Sequence, residues 1–300
     1  MRSLRAWLAY LAVVFLGGAL LAPWLYRAAQ AAAESFPACQ SLAAKPFHRF
    51  VNRSLLGLAL AGLWPLLRRC GLRSWRDLGW TSSTGRWRPV WRGVLVGFAG
   101  LGLAGGTVLA AGARIWRAEI LFPDLALAVA GAAVTALAVA VIEETLFRGV
   151  LQGTFRRAWN PLGALWLSSV VYAALHFLAR VRWNEPVEWT SGLAVLVRML
   201  AGFSDSTLVF PGFLNLVLAG ALLGAAFERT GSLYFSAGLH AGWVFWLKLY
   251  NATTCEVAGA FPRLWGSGKL TDGWIALPAL ALTATVLPLA LRDPRPARVA

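Results

Sequence analysis

Seven stretches of this chain run for 18 to 22 positions without a single charged residue: 6–26, 93–113, 125–142, 158–179, 206–227, 230–247 and 273–291. Each is close to the ~18–20 apolar residues that carry a helix across a bilayer. Inside lipid every backbone N–H and C=O must be satisfied within the segment, so runs of this length are expected to be helices. An eighth run, 54–67, is shorter, but Arg53 and Arg68 can snorkel from its ends. Charged residues make up 14% of the sequence and hydrophobic ones 58%, against roughly 25% charged in a soluble domain. The expectation is an all-α, polytopic membrane protein with about eight transmembrane helices, residues 1–300 forming a single membrane domain.

The net charge of +15 would suit nucleic acid if it were gathered on a soluble domain, and it is not: the cations are spread over the loops between runs, so no nucleic-acid partner is expected. Their distribution is instead topological. With the N-terminus inside, Arg2 and Arg5, the seven arginines from Arg68 to Arg92, Arg148, Arg156, Arg157, Arg229 and the arginines of the tail all fall on the inner side, which places both termini in the cytoplasm. Arginine far outnumbers lysine and no eukaryotic sorting signal is present, which points to a bacterial inner membrane. The first run imitates a signal peptide, with Ala31 to Ala33 after it, but exceeds the usual ~7–15-residue apolar core, so it is expected to stay as a span. Cys39, Cys70 and Cys255 show no metal or thiol-protease spacing. On this topology Cys39 and Cys255 share the oxidising side, and a disulfide between them is expected.

Two loops stand out. The segment 68–89, RRCGLRSWRDLGWTSSTGRWRP, is basic and rich in Trp, as suits an anionic membrane face or an orientation signal. The loop 180–205 carries a short apolar piece, LAVLVRML, of interfacial or re-entrant length. In the sixth run Gly220 and Gly224 form a small-xxx-small pair suited to close helix packing.

Ionisable groups at bilayer depth are costly and mark function by default. They occur here in three places: Glu143, Glu144 and Arg148 in VIEETLFRGV, His176 in VVYAALHFLA, and His240 in SAGLHAGWVF. Glu144 and Arg148 are spaced i, i+4 and pair on one helical face. Glu143 sits about 100° away, without that partner. The next run must turn back near Trp159, Asn160 and Pro161, which brings Glu143 and His176 to similar depth on neighbouring helices. Such a pair can hold a water, the carboxylate acting as general base and the imidazole orienting the water or protonating a leaving amine. His240, well inside its own run, can donate to a developing oxyanion. His48, beside Lys45 and Arg49, reads as a solvated loop residue.

This set resembles the CPBP intramembrane proteases, which include the CAAX prenyl-protein endopeptidases. Their pattern is EExxxR, then an aromatic-xxx-His, then a His in a later span, within eight spans. Here it reads Glu143, Glu144 and Arg148; Tyr172 and His176, with Tyr where Phe is usual; and His240. The approach GALLGAAFERTGSLYFSAGLH is also similar. The likeness covers about 140–245, the expected catalytic core. It implies that Glu143 activates the water, His176 assists, His240 contributes to the oxyanion site, and Glu144, Arg148 and Tyr172 support them. Where the family often has Asn, four residues after the last His, this chain has Val244, which donates no hydrogen bond. Asn215 is the candidate substitute donor.

The expected function is therefore an intramembrane endopeptidase acting on a membrane-anchored protein or peptide, with no cofactor and with the lipid bilayer as its medium. The bacterial reading points away from prenylated substrates. One rival keeps the residues and changes the chemistry: Glu143, His176 and His240 as ligands of a catalytic zinc, although no HExxH spacing is present. The other rival, kept open by Val244, is a non-catalytic membrane binding or immunity protein, or a transporter with a buried proton relay.

Overall fold

Leu, Ala, Val and Gly dominate the uncharged runs, and in a computed structural model of the protein these runs are helical. The structure describes residues 2–81, 85–179, 181–204 and 206–291. The tail arginines Arg292, Arg295 and Arg298, used in the topology argument, lie outside the described residues. The chain forms two compact units, one made of residues 1–73 and 177–204, the other of 74–176 and 205–300.

In the first unit α1 (Arg2–Ala12) passes through a π-helical turn, Val13–Gly17, into α2 (Gly18–Ser35). After a short α3 (Gln40–Ala43) the chain returns along α4 (Phe47–Arg69). The apolar piece of the 180–205 loop is α9 (Ser191–Met199). It packs on α2 where Gly192 meets the backbone of Ala19, at a distance no side chain would permit. Phe47, Phe50, Val51, Trp183, Val195 and Met199 fill the space between these helices. His48 is not a loop residue: it lies in the first turn of α4, and its Nδ1 accepts the backbone N–H of Trp183 at 3.3 Å.

The second unit begins with a turn segment and α5 (Trp87–Ala110), followed by strand β1 (Arg114–Trp116) and α6 (Phe122–Glu144). The helix does not stop at the carboxylates. It widens into a π-helix over Thr145–Gln152 and continues as α7 (Gly153–Ala158), an apolar rod of 36 residues from Phe122 to Arg157. Then come α8 (Pro161–His176), α10 (Ser206–Thr230) and α11 (Tyr234–Thr253), strand β2 (Thr254–Glu256), a short α12 (Pro262–Trp265) and α13 (Ala276–Ala290). The helical turn-back falls where Asn160, Pro161 and Trp159 place it, with the Asn160 side chain accepting the Gly163 N–H at 2.7 Å. β1 and β2 pair antiparallel, Ile115 opposite Cys255, a small exception to the all-α expectation.

What holds α11 in place is glycine on both sides of a helix crossing. Gly93 and Gly97 of α5 lie against the backbone of Phe235 and Leu239, while Gly238 and Gly242 of α11 lie against that of Val90 and Val94. Small residues four apart let two helix backbones touch, and dispersion between them supplies association that lipid-facing side chains cannot. Leu223, Phe235, Leu239 and Trp243 extend this contact into the core. Since His240 lies between Gly238 and Gly242, the crossing also fixes that histidine. Gly238→Ala puts a methyl into the Val90 carbonyl, so we expect a loss of about 1–3 kcal/mol, read as a lowered melting temperature in detergent, together with reduced activity.

The expected eight spans resolve differently from the charge-free runs. Among the described residues five helices are long and apolar enough to cross a membrane: Arg5–Ser35, Phe47–Arg69, Trp87–Ala110, Phe122–Arg157 and Val209–Thr230. Three apolar helices are shorter, Pro161–His176, Ser191–Phe203 and Ala276–Ala290, and α11 is long enough but carries His240, Lys248 and Asn251. A run free of charge is not the same as a helix of that length: the 158–179 run loses its helix at His176. Among the described residues Cys39 and Cys255 are free thiols, so the expected Cys39–Cys255 disulfide is not formed. Cys255 instead lies in β2, with its Sγ directed at the Ile115 carbonyl.

Candidate active site

Glu143 and Glu144 end α6 on two faces of the helix, as their 100° offset requires. Glu144 is fully buried, and its Oε1 lies 3.0 Å from Arg148 Nη1 and 2.9 Å from His240 Nδ1. The expected Glu144–Arg148 pair is present even though the helix between them is π-helical. π-segments are rare and occur disproportionately where function demands an altered helical register. Arg148, 1% exposed, also donates to the Gly220 carbonyl at 3.1 Å. One turn further on, Gln152 donates to the Gly224 carbonyl at 3.2 Å and to Glu228 at 3.0 Å. Gly220 and Gly224 thus do more than allow close packing: without side chains, they expose two carbonyls that accept one hydrogen bond each from a buried cation and a buried amide.

Glu143 is the other kind of carboxylate. Its Oε2 lies 3.8 Å from His176 Nε2 and 3.8 Å from His240 Nε2, and it accepts no hydrogen bond among the described residues although that oxygen is buried. The tautomers follow from the outer partners. His176 Nδ1 is 2.8 Å from the Tyr172 carbonyl, which only accepts, so this nitrogen carries the hydrogen. His240 Nδ1 likewise donates to the Glu144 carboxylate. In the neutral rings both Nε2 atoms therefore present lone pairs toward Glu143 Oε2. Three acceptors converge, an arrangement whose electrostatic complement is a donor or a cation.

Tyr172, one turn before His176, has its ring centroid 4.4 Å from the His176 ring, 6.1 Å from the His240 ring and 4.7 Å from the Arg148 guanidinium carbon. It is a buried platform touching three of the site's ionisable groups. The structure thus gathers all six expected residues, Glu143, Glu144, Arg148, Tyr172, His176 and His240. Asn215 does not join them: both of its N–H contacts go to the carbonyls of Thr271 and Gly273, at 2.9 and 2.8 Å, pinning the segment before α13. Val244 lies one turn beyond His240 in α11, half-buried.

Sequence reasoning missed several supports. Gln152 carries no charge and stands outside the recognised motif, though its position eight residues after Glu144, on the same face as Arg148, was a usable signal. The 68–89 loop also takes part: Leu78 presses its carbonyl against Gly149, and the Trp80 indole donates to Thr145 Oγ1 at 3.0 Å. That contact braces the start of the π-helix from outside.

For a zinc ion the donors are of the right kind, two imidazole nitrogens and a carboxylate, with outer hydrogen bonds that fix the rings as metal sites require. Their spacing is wide: donors ~2.0 Å from a tetrahedral ion sit roughly 3.3 Å from each other, against 3.8 Å from Glu143 to each histidine here. Among the described residues no group of three His, Cys, Asp or Glu is drawn together as a metal centre.

Compared with curated proteins and with solved structures, the chain finds no match. Residues 125–246 match the family described as Type II CAAX prenyl endopeptidase Rce1-like, a segment that contains all six of the gathered residues. Over residues 125–246 this integral membrane protein is therefore similar to the Rce1-like type II CAAX prenyl endopeptidases, a likeness consistent with the CPBP family that its motifs resemble.

Proposed function

We propose that this chain is a glutamic-type intramembrane endopeptidase in which Glu143 is the general base. The observation that carries the reading is Glu143 Oε2, a buried carboxylate oxygen without a hydrogen-bond partner among the described residues, equidistant from two imidazole nitrogens that face it with lone pairs. A water held there donates to two of the three acceptors and turns its own oxygen toward a scissile carbonyl. Attack forms the new C–O bond while a water proton passes to Glu143. His176 relays that proton to the departing nitrogen as the C–N bond breaks, which restores the carboxylate and releases an amine and an acid.

His240 serves as oxyanion donor after taking a proton from bulk water on Nε2, a proton it returns when the products leave, while Glu143 and His176 hold the attacking water. Glu144 orients the ring for that role, its carboxylate accepting Nδ1–H at 2.9 Å and so turning Nε2 toward Glu143. With Asn215 occupied and Val244 apolar, this is the donor the site offers. The substrate is a membrane-anchored protein or peptide; a bacterial inner membrane with both termini cytoplasmic is the setting the basic loops favour.

The ring tautomers favour a second reading, in which Glu143, His176 and His240 hold zinc; the ion would supply an acidified water and Lewis acidity. Dialysis against a chelator separates the two. On the glutamic reading, purified protein keeps its cleavage rate within about twofold and contains far less than one zinc per chain. Loss of activity restored by zinc alone would overturn it. The proteolytic reading itself is tested by comparing peptides released from membrane-anchored proteins in cells carrying wild-type protein or Glu143→Gln, the products being absent from the variant.

A further inference from the structure

Away from the catalytic residues, the first unit carries a groove between α2, the α3 segment and α4, with a volume of about 400 Å³. That lies in the range of small-ligand sites, roughly 300–1,000 Å³. Its floor is Leu25, Ala28, Ala29, Ala32 and Phe50. Alanine at 28, 29 and 32 keeps one face of α2 shallow, so the trough exists because the side chains there are a single carbon long. Leu25, Ala28 and Leu42 are exposed, which leaves it open along its length.

The rim is different in kind. Lys45, Arg49 and Arg53 line it, all exposed. They are spaced four apart, Lys45 just before α4 and the arginines on one face of its first two turns. Like charges at i, i+4 repel by a few tenths of a kcal/mol per pair, and among the described residues no carboxylate forms an ion pair with any of the three. Arg53 lies six residues into α4, about 9 Å along a membrane-length helix at ~1.5 Å per residue, a depth at which a cation needs an anion or water. The helix begins there without a side-chain cap, adding its positive end to the same place. On the orientation proposed above, this is the outer end of both helices, where the positive-inside bias offers no reason for three cations.

An apolar trough running along two helices beneath an unpaired row of cations at the headgroup level matches one kind of molecule. We propose that this groove binds a single anionic phospholipid, its acyl chain along Ala28, Ala29 and Ala32 and its phosphate against Lys45, Arg49 and Arg53. Charge decides for lipid anion over zwitterion: each cation near a membrane surface adds about 1 kcal/mol toward an anionic headgroup. The apolar floor decides for a lipid over an acidic peptide, which would leave its backbone polar groups unsatisfied along alanine.

The experiment uses the full chain purified in detergent and transferred to nanodiscs of phosphatidylcholine doped with phosphatidylglycerol, with retained lipid read by native mass spectrometry. Wild-type protein is expected to keep one phosphatidylglycerol at least about tenfold over its share of the mixture. Lys45→Gln/Arg49→Gln/Arg53→Gln should bring retention down to that share. Ala28→Trp fills the trough, leaves the cations in place, and should release the lipid as well. It decides the matter if the triple variant fails to fold. The proposal is overturned if wild-type protein keeps both lipids in proportion, or if the triple variant retains phosphatidylglycerol as before. Undiminished binding by Ala28→Trp would mean headgroup pairing without a groove. Displacement of the lipid by inorganic phosphate or by an acidic peptide at equal concentration would assign the cations to that ligand, and also overturns it.

Discussion

Glu143→Gln is expected to remove cleavage by a factor of at least about 10²–10⁴, the range contributed by a positioned general base, while the protein folds and inserts as before. The substitution keeps size and hydrogen-bonding shape and deletes only the basic oxygen. No hydrogen bond of Oε2 is lost, because that oxygen has no hydrogen-bond partner among the described residues, and the side chain is 25% exposed. His176→Ala should give a similar loss. The double variant should be no worse than either single, since residues that act on one water as a unit are strongly non-additive. The measurement is cleavage of a membrane-anchored reporter alongside abundance and melting temperature. The assignment is falsified if Glu143→Gln protein of normal abundance cleaves at the wild-type rate.

Glu144→Gln should fail first in stability. Arg148 is 1% exposed and its carboxylate partner is fully buried. Removing one member of such a pair leaves an uncompensated charge in a low-dielectric interior, at a cost of about 3–5 kcal/mol. The Gly220 carbonyl, Arg148's other partner, accepts a hydrogen bond but carries no net charge. Low abundance and a clearly depressed melting temperature are the expected signs. Glu144→Gln/Arg148→Met separates structure from chemistry: deleting both charges should recover much of the stability, because a buried pair exchanged for apolar packing is often neutral. Activity should stay low, since His240 has lost the carboxylate that its Nδ1–H contacts at 2.9 Å. A Glu144→Gln protein that melts with the wild type would remove the structural role given to this pair.

The two neighbouring glutamates thus differ by environment rather than by type, and that difference was legible in part. Adjacent positions on a helix point about 100° apart, so an i+4 arginine can serve one of them and not the other. The spacing did not reveal that His240 would sit between the two, within 2.9 Å of Glu144 and 3.8 Å of Glu143. That placement depends on how closely α11 approaches its neighbours, which is set by Gly93 and Gly97 against Gly238 and Gly242. Glycines in apolar runs read as ordinary composition until the helices that face each other are known.

The sequence by itself determined what local covalent facts can determine. Charge-free runs of membrane length dictate helices, since backbone groups in lipid have no other partners. Asn160 and Pro161 dictate the turn, and the rarity of ionisable groups in those runs singles out Glu143, Glu144, Arg148, His176 and His240. Helix lengths, the π-helical widening after Glu144, the free thiols of Cys39 and Cys255, and the diversion of Asn215 to the carbonyls of Thr271 and Gly273 were decided by the tertiary structure. The physical reason is common to all of them. A run of apolar residues specifies burial without direction, whereas a hydrogen bond or a backbone contact requires two segments to arrive at one place, and residues far apart in the chain meet only when the whole fold has formed.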